Sequence, residues 1–427
     1  MNNVNVFWFR RDLRLHDNTA LNEALKSELP VLPIFIFDTN IINELDNNDS
    51  RITFIYNELV KINNQLKEHH SGLKVFIGEP MKIWTEILIK FNVNKVFFNR
   101  DYEPYANQRD EKLMSFFKQE NVTNLNFKDH VIFEKNEITK DDGSPYLVFT
   151  PFKKKWIEKR KSLKIQTKAL ATKNFHKSSF IFPSLIDIGF IKSTIIVPPF
   201  KLNCVPKYEE TRNFPSLDKT SKIGPHLRFG TVSIREVIKQ VESLSEVFLS
   251  ELIWREFFMQ IIHHFPHTVT QNFKRKYDTI QWRNNESEFK KWCLGKTGYP
   301  IVDAGMRELN NTGFMHNRVR MITASFLCKH LLIDWRWGEA YFASKLLDYE
   351  LASNIGNWQW CAGTGCDAAP YFRIFNPYEQ TKKFDSKLTY INKWVSELNS
   401  FNYPKPIVDH SFARKRALET YKSGLSG

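Results

Sequence analysis

The chain has 427 residues, of which 42% are hydrophobic, so it is too long for one ordinary core and predicts two domains with a connector. Its formal net charge of +14 favours a polyanionic partner, with nucleic acid first and an anionic membrane surface second. The N-terminus lacks the apolar run of a signal peptide and no stretch reaches membrane-spanning length, which predicts a soluble, cytoplasmic protein.

Short β-type runs alternate with helical stretches over the first 130 residues. The runs are VNVFWFR, VLPIFIF, LKVFIG, NKVFFN and NLNFKD, and the helical stretches fall at about 19–28, 51–70, 81–92 and 105–121. This alternation predicts an α/β domain with a doubly wound parallel sheet. The polar segment FRRDLRLHDN follows the first strand, where open sheets bind ligands, but no glycine-rich phosphate loop is present.

The regular pattern of strands and helices becomes weak from 131 to 205. The basic run TPFKKKWIEKRKSLKIQTKALATK in this segment predicts a solvated helix face or a linker. A second domain then extends from 206 to 427. Its segment TSKIG, residues 220–224, can present backbone N–H groups, two hydroxyls and a cation to a pyrophosphate. A polar turn before a helix accounts for the same residues.

Two later stretches are helical in pattern. In SELIWREFFMQIIHH, Glu251, Trp254 and Arg255 share one helical face. The stretch 295–377 predicts packed helices that carry polar groups, although an unbonded buried amide or hydroxyl costs roughly 2–7 kcal/mol. These helices therefore either satisfy their polar groups internally or enclose a polar ligand.

The five cysteines are an odd number without close pairing, which favours a reducing compartment. Cys361 and Cys366 lack the spaced partners of a zinc or iron–sulfur site, so no metal is predicted. Aromatic residues make up 14% of the chain and offer platforms for stacking flat rings, although core packing is the simpler account for most of them.

Four segments of the long helical stretch resemble the flavin-binding domain of the DNA photolyase and cryptochrome family: KTGYPIVDAGMREL, TGFMHNRVRM, LLDYELASNIGNWQW and DAAPYFRIFNP. VFWFRRDLRLHDNTAL and SELIWREFF extend the resemblance to nearly the whole chain, and it is most like class I cyclobutane pyrimidine dimer photolyases. It implies an antenna-type α/β domain at 1–130, an interdomain linker at 131–205 and an all-helical FAD-binding catalytic domain at 206–427. The chain is short just before Tyr208, where the family resemblance implies another helix.

The resemblance implies light-driven repair of UV-damaged DNA by a monomer. In such enzymes FAD, active as FADH⁻, gives an electron to a dimer flipped out of the duplex. The resemblance assigns catalytic roles to Glu251, Trp254, Asn317, Met321, Asn354 and Trp360, and electron transfer to Trp282, Trp335 and Trp358. It assigns cofactor binding to Tyr208, Thr220, Ser221, Lys222, Ile223, Gly224, Arg255, Arg320, Asp348, Glu350 and Asn354. It assigns DNA binding to Arg212, Arg318, Arg373, Gln380 and Lys383.

Three positions distinguish the branches of the family. Asn354 matches the residue that faces the flavin N5, where repair enzymes carry an amide and photosensory branches often carry an acid or a cysteine. Asn317 and Met321 stand where enzymes for the (6-4) photoproduct resemble one another in having histidines, so the implied substrate is the cyclobutane dimer. Phe314, Tyr349 and Glu350 depart from the residues of close relatives, which bears on tuning of the cofactor.

Other functions stay open. A cryptochrome-like blue-light photoreceptor would share the flavin domain without the repair pocket, and a light-independent electron-transfer flavoprotein would need neither the pocket nor the basic residues. A second, antenna chromophore is also implied. Tyr105 and Ala106 fall where folate-binding members carry Asn and Glu, so a deazaflavin, a second flavin or no antenna are the alternatives to a folate.

Overall fold

The computed structural model describes residues 3–167, 170 and 174–426. The chain forms two compact units, and it passes between them more than once. The first unit contains residues up to 134, 159–199 and 223–243, and the second contains 135–158, 200–222 and the chain from 244 onward. The predicted division at 130 and 205 stays a prediction, since the segment between these positions contributes to both units.

The first unit is built on a five-stranded parallel sheet with the strand order β3-β2-β1-β4-β5. Its strands are β1 (Asn3–Phe9), β2 (Val31–Asp38), β3 (Lys74–Gly78), β4 (Asn92–Asn99) and β5 (Thr123–Phe127). The helices that accompany them are α1 (Thr19–Leu25), α2 (Thr39–Ile42), α3 (Ser50–Lys67), α4 (Pro80–Lys90) and α5 (Pro104–Gln119). The predicted α/β architecture is confirmed, and α2 is a short addition to it.

Local sequence explains these elements. Strand β2 is buried along its whole length, which is why VLPIFIFD reads as a nearly continuous apolar run. Helices α4 and α5 each begin at a proline, whose missing N–H costs nothing in a first turn. The Trp84 and Phe117 rings of these two helices pack edge to face at 4.8 Å between centroids, which anchors both helices on the sheet.

The rest of the described chain is helical. Its helices are α6 (Phe149–Ser162), α7 (Tyr208–Thr211), α8 (Gly224–Arg228), α9 (Ile234–Val241), α10 (Glu246–His264), α11 (Glu286–Cys293), α12 (Pro300–Thr312), α13 (Asn317–Ser325), α14 (Trp335–Lys345), α15 (Leu351–Ala362), α16 (Pro377–Phe384), α17 (Thr389–Trp394) and α18 (His410–Ser426). Helices α8 and α9 fall in the first unit. Within the described residues, no helix has the length and hydrophobicity that crossing a membrane requires.

Helix ends in the second unit fix where the polar side chains lie. Helix α12 ends at Gly313, whose φ of +65° is a left-handed conformation that favours glycine, and the chain turns directly into α13. The His316 ring accepts a hydrogen bond from the backbone N–H of Arg318 and so caps α13. Helix α15 packs against α10, α13 and α14, so the predicted site residues of these four helices belong to one packed group.

Candidate functional site

Asn317 and Met321 lie one turn apart on α13 and share a face. Asn317 is exposed and Met321 is half-buried, although the helix that carries them is otherwise mostly buried. The two side chains therefore form an open wall made of an amide and a thioether.

Arg320 and Asp348 form an ion pair behind this wall. The Arg320 Nη2 donates to Asp348 Oδ2 at 2.9 Å, and the Arg320 Nε donates to the Met315 carbonyl at 2.7 Å. Asp348 Oδ1 is buried and accepts no hydrogen bond from the described residues. The predicted Arg320 and Asp348 are thus brought together, with one carboxylate oxygen left over.

Thr220 Oγ1 and His316 Nε2 are also among the buried polar atoms of the second unit that have no hydrogen-bond partner in the described residues; others, such as Gln260 Nε2 and Thr364 Oγ1, lie outside the predicted site. Leaving a buried donor or acceptor unsatisfied costs about 1–3 kcal/mol each, so a ligand that pairs with such atoms gains affinity. With Asp348 Oδ1, these atoms supply a hydroxyl, a ring nitrogen and a carboxylate oxygen. This donor and acceptor set fits a ligand with hydroxyl, phosphate and ring N–H groups, as FAD has.

His316 is a site residue that the sequence interpretation missed. Its side chain is 3% exposed, and burial, followed by the nearby Lys222 and Arg320 charges, lowers its pKa to about 4. The ring is therefore neutral at pH 7, and because Nδ1 accepts from the Arg318 N–H, Nε2 carries the hydrogen. The unpartnered Nε2 is thus a hydrogen-bond donor. Its position just before Asn317 in the motif MHNRVRM was the available signal.

The predicted anion-binding segment lies around Lys222, which has a left-handed φ of +56°. The Lys222 ammonium is 3.0 Å from Asp218 Oδ1 and 3.4 Å from the centroid of the Phe314 ring. Ser221 is buried, and its carbonyl accepts from the Lys201 N–H at 2.8 Å. Ile223 and Gly224 lie at the start of α8. The departure Phe314 thus has a physical role, since its ring faces the lysine cation.

Asn354 is 9% exposed, and its amide Nδ2 donates to the Glu339 carbonyl at 3.2 Å and to Glu339 Oε1 at 2.9 Å. Burial raises the pKa of Glu339. The Tyr349 hydroxyl also reaches Glu339 Oε1 at 3.5 Å. Glu339 fixes the orientation of the Asn354 amide and was missed, because a single Glu in a helical pattern gives no signal of its own.

Arg255 and Glu350, both assigned to cofactor binding, form a largely buried ion pair at 2.9 Å between Arg255 Nη2 and Glu350 Oε1. Glu350 Oε2 also accepts from the Ser353 hydroxyl at 3.2 Å. The pair ties α10 to the start of α15, on which Asn354 lies.

The other predicted pocket residues lie on α10 and near the end of α15. Glu251 Oε1 accepts from Arg212 Nη1 at 2.6 Å, and the Arg212 guanidinium lies 5.3 Å from the Tyr208 ring centroid. Burial, and secondarily Glu251, raises the pKa of Tyr208. Trp360 is half-buried on α15.

Phe149 was missed, and it changes the environment of Trp254. The two rings stack at 3.7 Å between centroids with an angle of 8° between their planes, so Phe149 covers one face of the indole. Phe258 packs against Trp254 at 5.3 Å. The expected role of Trp254 as a pocket wall stays a prediction, and Phe149 is the residue that holds its ring in place.

The three tryptophans assigned to electron transfer are in different surroundings. Trp358 is buried, and its nearest ring neighbours are Phe342 at 4.9 Å and Trp292 at 6.1 Å. Trp335 is fully buried and donates from Nε1 to Asn272 Oδ1 at 2.8 Å. Trp282 is half-buried and packs against the ring of Tyr421 at 5.9 Å. Their order as a chain stays a prediction.

The predicted DNA-binding residues are more exposed. Arg373 and Lys383 are exposed, and Gln380 is half-buried. Arg318 donates to Asn213 Oδ1 at 2.7 Å and lies 4.5 Å from the Phe384 ring centroid, while its Nε has no partner. Burial and the nearby Arg212 charge lower the pKa of Arg318, so two cations lie close together at this surface.

Comparison with known families accounts for most of the chain. Residues 5–172 match the family model described as DNA photolyase, and residues 248–402 match the model described as the FAD binding domain of DNA photolyase. The deoxyribodipyrimidine photo-lyase of Vibrio cholerae is 36% identical, over 98% of this chain and 99% of the relative. The Escherichia coli enzyme of the same name is 35% identical, over 99% of both chains.

Solved structures agree with these relatives. A class III photolyase from Agrobacterium tumefaciens superposes with a TM-score of 0.89 at 31% identity, over 100% of this chain and 98% of that one. A Sulfolobus tokodaii photolyase with two FAD molecules gives 0.85 at 34% identity, over 99% and 100%. A Synechocystis cryptochrome gives 0.86 at 26% identity, over 98% and 99%.

The helical second unit therefore carries the FAD-binding domain, and the orphaned polar atoms around α13 fit that cofactor. The similarity to named enzymes extends over nearly the whole length of both partners. The chain belongs to the DNA photolyase family and contains its FAD-binding domain.

Proposed function

We propose that the chain repairs cyclobutane pyrimidine dimers in DNA when illuminated, with the dimer flipped into a pocket walled by Glu251, Trp254, Asn317, Met321 and Trp360. When bound and reduced, FAD supplies a photoexcited electron donor as FADH⁻. The protein side chains bind and orient cofactor and dimer and keep water from the reacting groups.

The wall on α13 carries this proposal. Asn317 is exposed and Met321 is half-buried one turn later, so an amide and a polarisable thioether face outward together. Neither side chain can give up a proton at neutral pH. Such a wall suits a neutral, flat, hydrogen-bonding ligand whose ring opening needs an electron and no proton, which favours the cyclobutane dimer over the (6-4) photoproduct.

The cofactor would be held by groups that lack a partner in the protein. Thr220 Oγ1 and the neighbouring Lys222 ammonium suit a pyrophosphate, since a hydroxyl and a cation both favour anionic oxygens. His316 Nε2 can donate to an oxygen, and Asp348 Oδ1 can accept from a hydroxyl or ring N–H. Asn354, whose Nδ2 is held by Glu339, has an amide oxygen that can accept a hydrogen bond, and it brings no acidic proton.

DNA would be held by the cations around the pocket. Arg212 is paired with Glu251 at 2.6 Å, and burial, followed by the Arg212 charge, lowers the pKa of Arg318. The Arg318 Nε has no partner among the described residues, so a phosphate would supply this cation with an anion. Arg373 and Lys383 are exposed, Gln380 is half-buried, and these three would contact the backbone of any duplex.

We propose further that the protein acts as a cytoplasmic monomer with an antenna group in the first unit. All five cysteines are free thiols, which suits a reducing compartment. In the first unit the Arg109 guanidinium lies 5.9 Å from the ring of the exposed Tyr105, a pair suited to a flat chromophore. The absorption spectrum of the purified protein distinguishes a folate, a deazaflavin, a second flavin and no antenna.

A cryptochrome-like photoreceptor is the second candidate, because the Synechocystis cryptochrome superposes with a TM-score of 0.86. The two functions differ in what happens to damaged DNA. The test is to incubate the reduced protein with duplexes that carry one cyclobutane dimer or one (6-4) photoproduct, in blue light and in darkness. The proposal expects loss of the cyclobutane dimer in light only. Intact dimers in light favour the photoreceptor, and loss of dimers in darkness contradicts both.

A further inference from the structure

Trp358 has an aromatic neighbour that belongs to none of the assigned electron-transfer residues. The Trp292 ring lies 6.1 Å from Trp358 at an angle of 69°, and Phe342 lies 4.9 Å from Trp358 and 6.0 Å from Trp292. Trp292 is fully buried, so it cannot exchange electrons with a solute directly.

The ring contacts continue from Trp292 toward the surface. Phe289 stacks on Trp292 at 5.8 Å with an angle of 18°, and Phe289 meets Trp337 edge to face at 5.2 Å. Trp337 is half-buried in the first turn of α14. The rings of Trp358, Trp292, Phe289 and Trp337 therefore form an unbroken path from a buried indole to a solvent-accessible one.

A second contact joins the two ends of this path. Any side chain at Gly338 would collide with the six-membered ring of Trp358, so the Trp358 ring packs directly on the backbone next to Trp337. The absence of a side chain at Gly338 is what allows this approach. Through-bond and through-space connections thus both run from Trp358 to Trp337.

Proton chemistry distinguishes the members of the path. The Trp292 Nε1 donates to the Thr323 carbonyl at 3.1 Å, and a carbonyl is too weak a base to take the proton, so an oxidised Trp292 keeps it and can pass the charge on. Trp337 has access to water, which can take the proton and trap the charge there. These properties suit Trp292 as a relay and Trp337 as an end point.

Tyr341 is the competing end point, and its surroundings disfavour it. Its ring lies 5.8 Å from Trp292, but its hydroxyl is held 2.6 Å from Asn310 Oδ1 and 3.2 Å from the Cys293 carbonyl, neither of which is a base. Burial raises the pKa of Tyr341 to about 12. Oxidation of a phenol requires loss of its proton, so the path ends at Trp337.

We propose that Trp337 is a second surface exit for electron transfer during photoreduction of the bound flavin, connected to Trp358 by Trp292 and the bridging ring of Phe289. One electron moves from Trp358 to the flavin, one from Trp292 refills Trp358, and one from Trp337 refills Trp292. Trp337 then releases a proton to water and regains an electron and a proton from an external thiol. The proposal rests on the proposed function, because it requires a photoactive flavin beside Trp358.

The test compares two exits in the purified flavoprotein. Photoreduction of the oxidised flavin with dithiothreitol is followed by absorbance in wild type, Trp282→Phe, Trp337→Phe and the double variant. Trp394→Phe is the matched control, because Trp394 is also half-buried and lies outside the path. A second readout needs no substitution: illumination without thiol, in the presence of the radical trap 2-methyl-2-nitrosopropane, followed by peptide mass spectrometry to locate the adducts.

The expected result is that Trp282→Phe keeps part of the photoreduction, that adding Trp337→Phe removes it, and that Trp394→Phe changes nothing. Trap adducts are expected on Trp337 in the wild type and in Trp282→Phe. The proposal is overturned if Trp282→Phe already loses all photoreduction, or if Trp337 carries no adduct in that variant. Wild-type protein that binds flavin but fails to photoreduce it would instead overturn the electron supply assumed in the proposed function.

Discussion

Two carboxylates, Asp129 of the first unit and Asp348 of the second, differ in how their oxygens are partnered. In the first unit both oxygens of Asp129 accept hydrogen bonds, Oδ2 from Arg14 at 2.5 Å and Oδ1 from Thr19 and Arg235. Asp12 is equally enclosed and accepts from the Arg10 backbone and from Asn99. In the second unit Asp348 has one oxygen paired with Arg320 and the other without a partner.

The difference shows what each network is for. A buried charge whose partners are all within the protein is costly to break, because removing one partner leaves the others buried and unpaired. A buried polar atom without a partner destabilises the protein alone, and a ligand that pairs with it removes that cost. The partners of Asp129 suit a structural role, and we propose a binding role for the unpartnered oxygen of Asp348.

The largest effect is expected from disrupting the hydrogen-bond network of Asp129. Asp129→Asn removes the charge that holds Arg14 and Arg235, and losing one partner of a buried ion pair costs about 3–5 kcal/mol. We expect a correspondingly lower free energy of unfolding for the first unit. Hydrogen exchange of β1 and β4 peptides across a urea series measures it.

Asp348→Asn is the matched substitution in the second unit. It should change the unfolding of the flavin-free protein by less than about 1 kcal/mol, since its partner Arg320 is also held by the Met315 carbonyl. Its effect should be on flavin retention. Equal losses of stability in both variants would remove the distinction between the two networks.

The next effect concerns the predicted dimer pocket. A hydrogen bond to a charged group is worth roughly 1.5–3 kcal/mol, so Glu251→Ala should weaken binding of dimer-containing DNA by that amount. Undamaged DNA should bind nearly as before, because a flipped lesion alone reaches the pocket. Binding to matched duplexes with and without one dimer measures the difference.

Arg212→Ala sharpens this prediction, since Arg212 is the protein partner of Glu251 at 2.6 Å. If the pair acts as a unit, the double variant Arg212→Ala/Glu251→Ala should lose less dimer affinity than the two single losses added together. Simple addition of the two losses would show that the pair is not coupled in binding.

A smaller effect is expected from His316 as the pH falls. Its pKa is about 4 in the folded protein, below the unfolded value of about 6.5, so the unfolded state binds the proton first. Stability that is present above about pH 6.5 is therefore lost as the pH falls toward about 4, by about 1.4 kcal/mol per pH unit. His316→Gln should flatten this dependence, measured by hydrogen exchange of α13.

His16→Gln, at an exposed histidine of the first unit, is the control and should leave the pH dependence of α13 unchanged. The same slope in wild type and His316→Gln would contradict the assignment of His316 as a neutral buried donor.

The smallest effect belongs to the surface cations. Lys383→Ala removes an exposed cation, so damaged and undamaged duplexes should both bind more weakly and the salt dependence should fall by about one ion. Titrations at several salt concentrations measure the slope. A loss of affinity confined to the damaged duplex would indicate that Lys383 contacts the lesion in the pocket and not the DNA backbone.

The fold was largely predictable because its signals are local. Strands β1 and β2 are nearly continuous apolar runs, and α4 and α5 start at prolines, so periodicity and turn residues locate them within a few positions. The helices of the second unit were predicted from their apolar spacing, and both alternatives for their polar residues occur: Asp303 is satisfied within the protein, whereas Asp348 Oδ1 has no partner in the described residues. Family resemblance, and not the pattern, implied FAD.

The contacts of the site were less predictable because they join distant parts of the chain. The Phe149 ring stacks on Trp254, which is more than a hundred positions later, and neither pattern nor spacing indicates this pair. Glu339 fixes the Asn354 amide from another helix. His316 was overlooked since a capping residue and a cofactor donor look the same in sequence. Side-chain pairing of this kind is decided by tertiary packing alone.

The central claim is that the unpartnered atoms of Thr220, His316 and Asp348 are completed by a ligand, whereas the carboxylates of Asp12 and Asp129 already have their partners within the protein. Hydrogen exchange of the flavin-free protein, measured before and after adding one equivalent of FAD, tests it most directly. We predict new protection in peptides covering 218–224, 315–322 and 348–355, which contain Thr220, His316 and Asp348. Peptides that contain Asp12 and Asp129 should exchange as before. Unchanged exchange in the three second-unit segments, with flavin bound, would contradict the account.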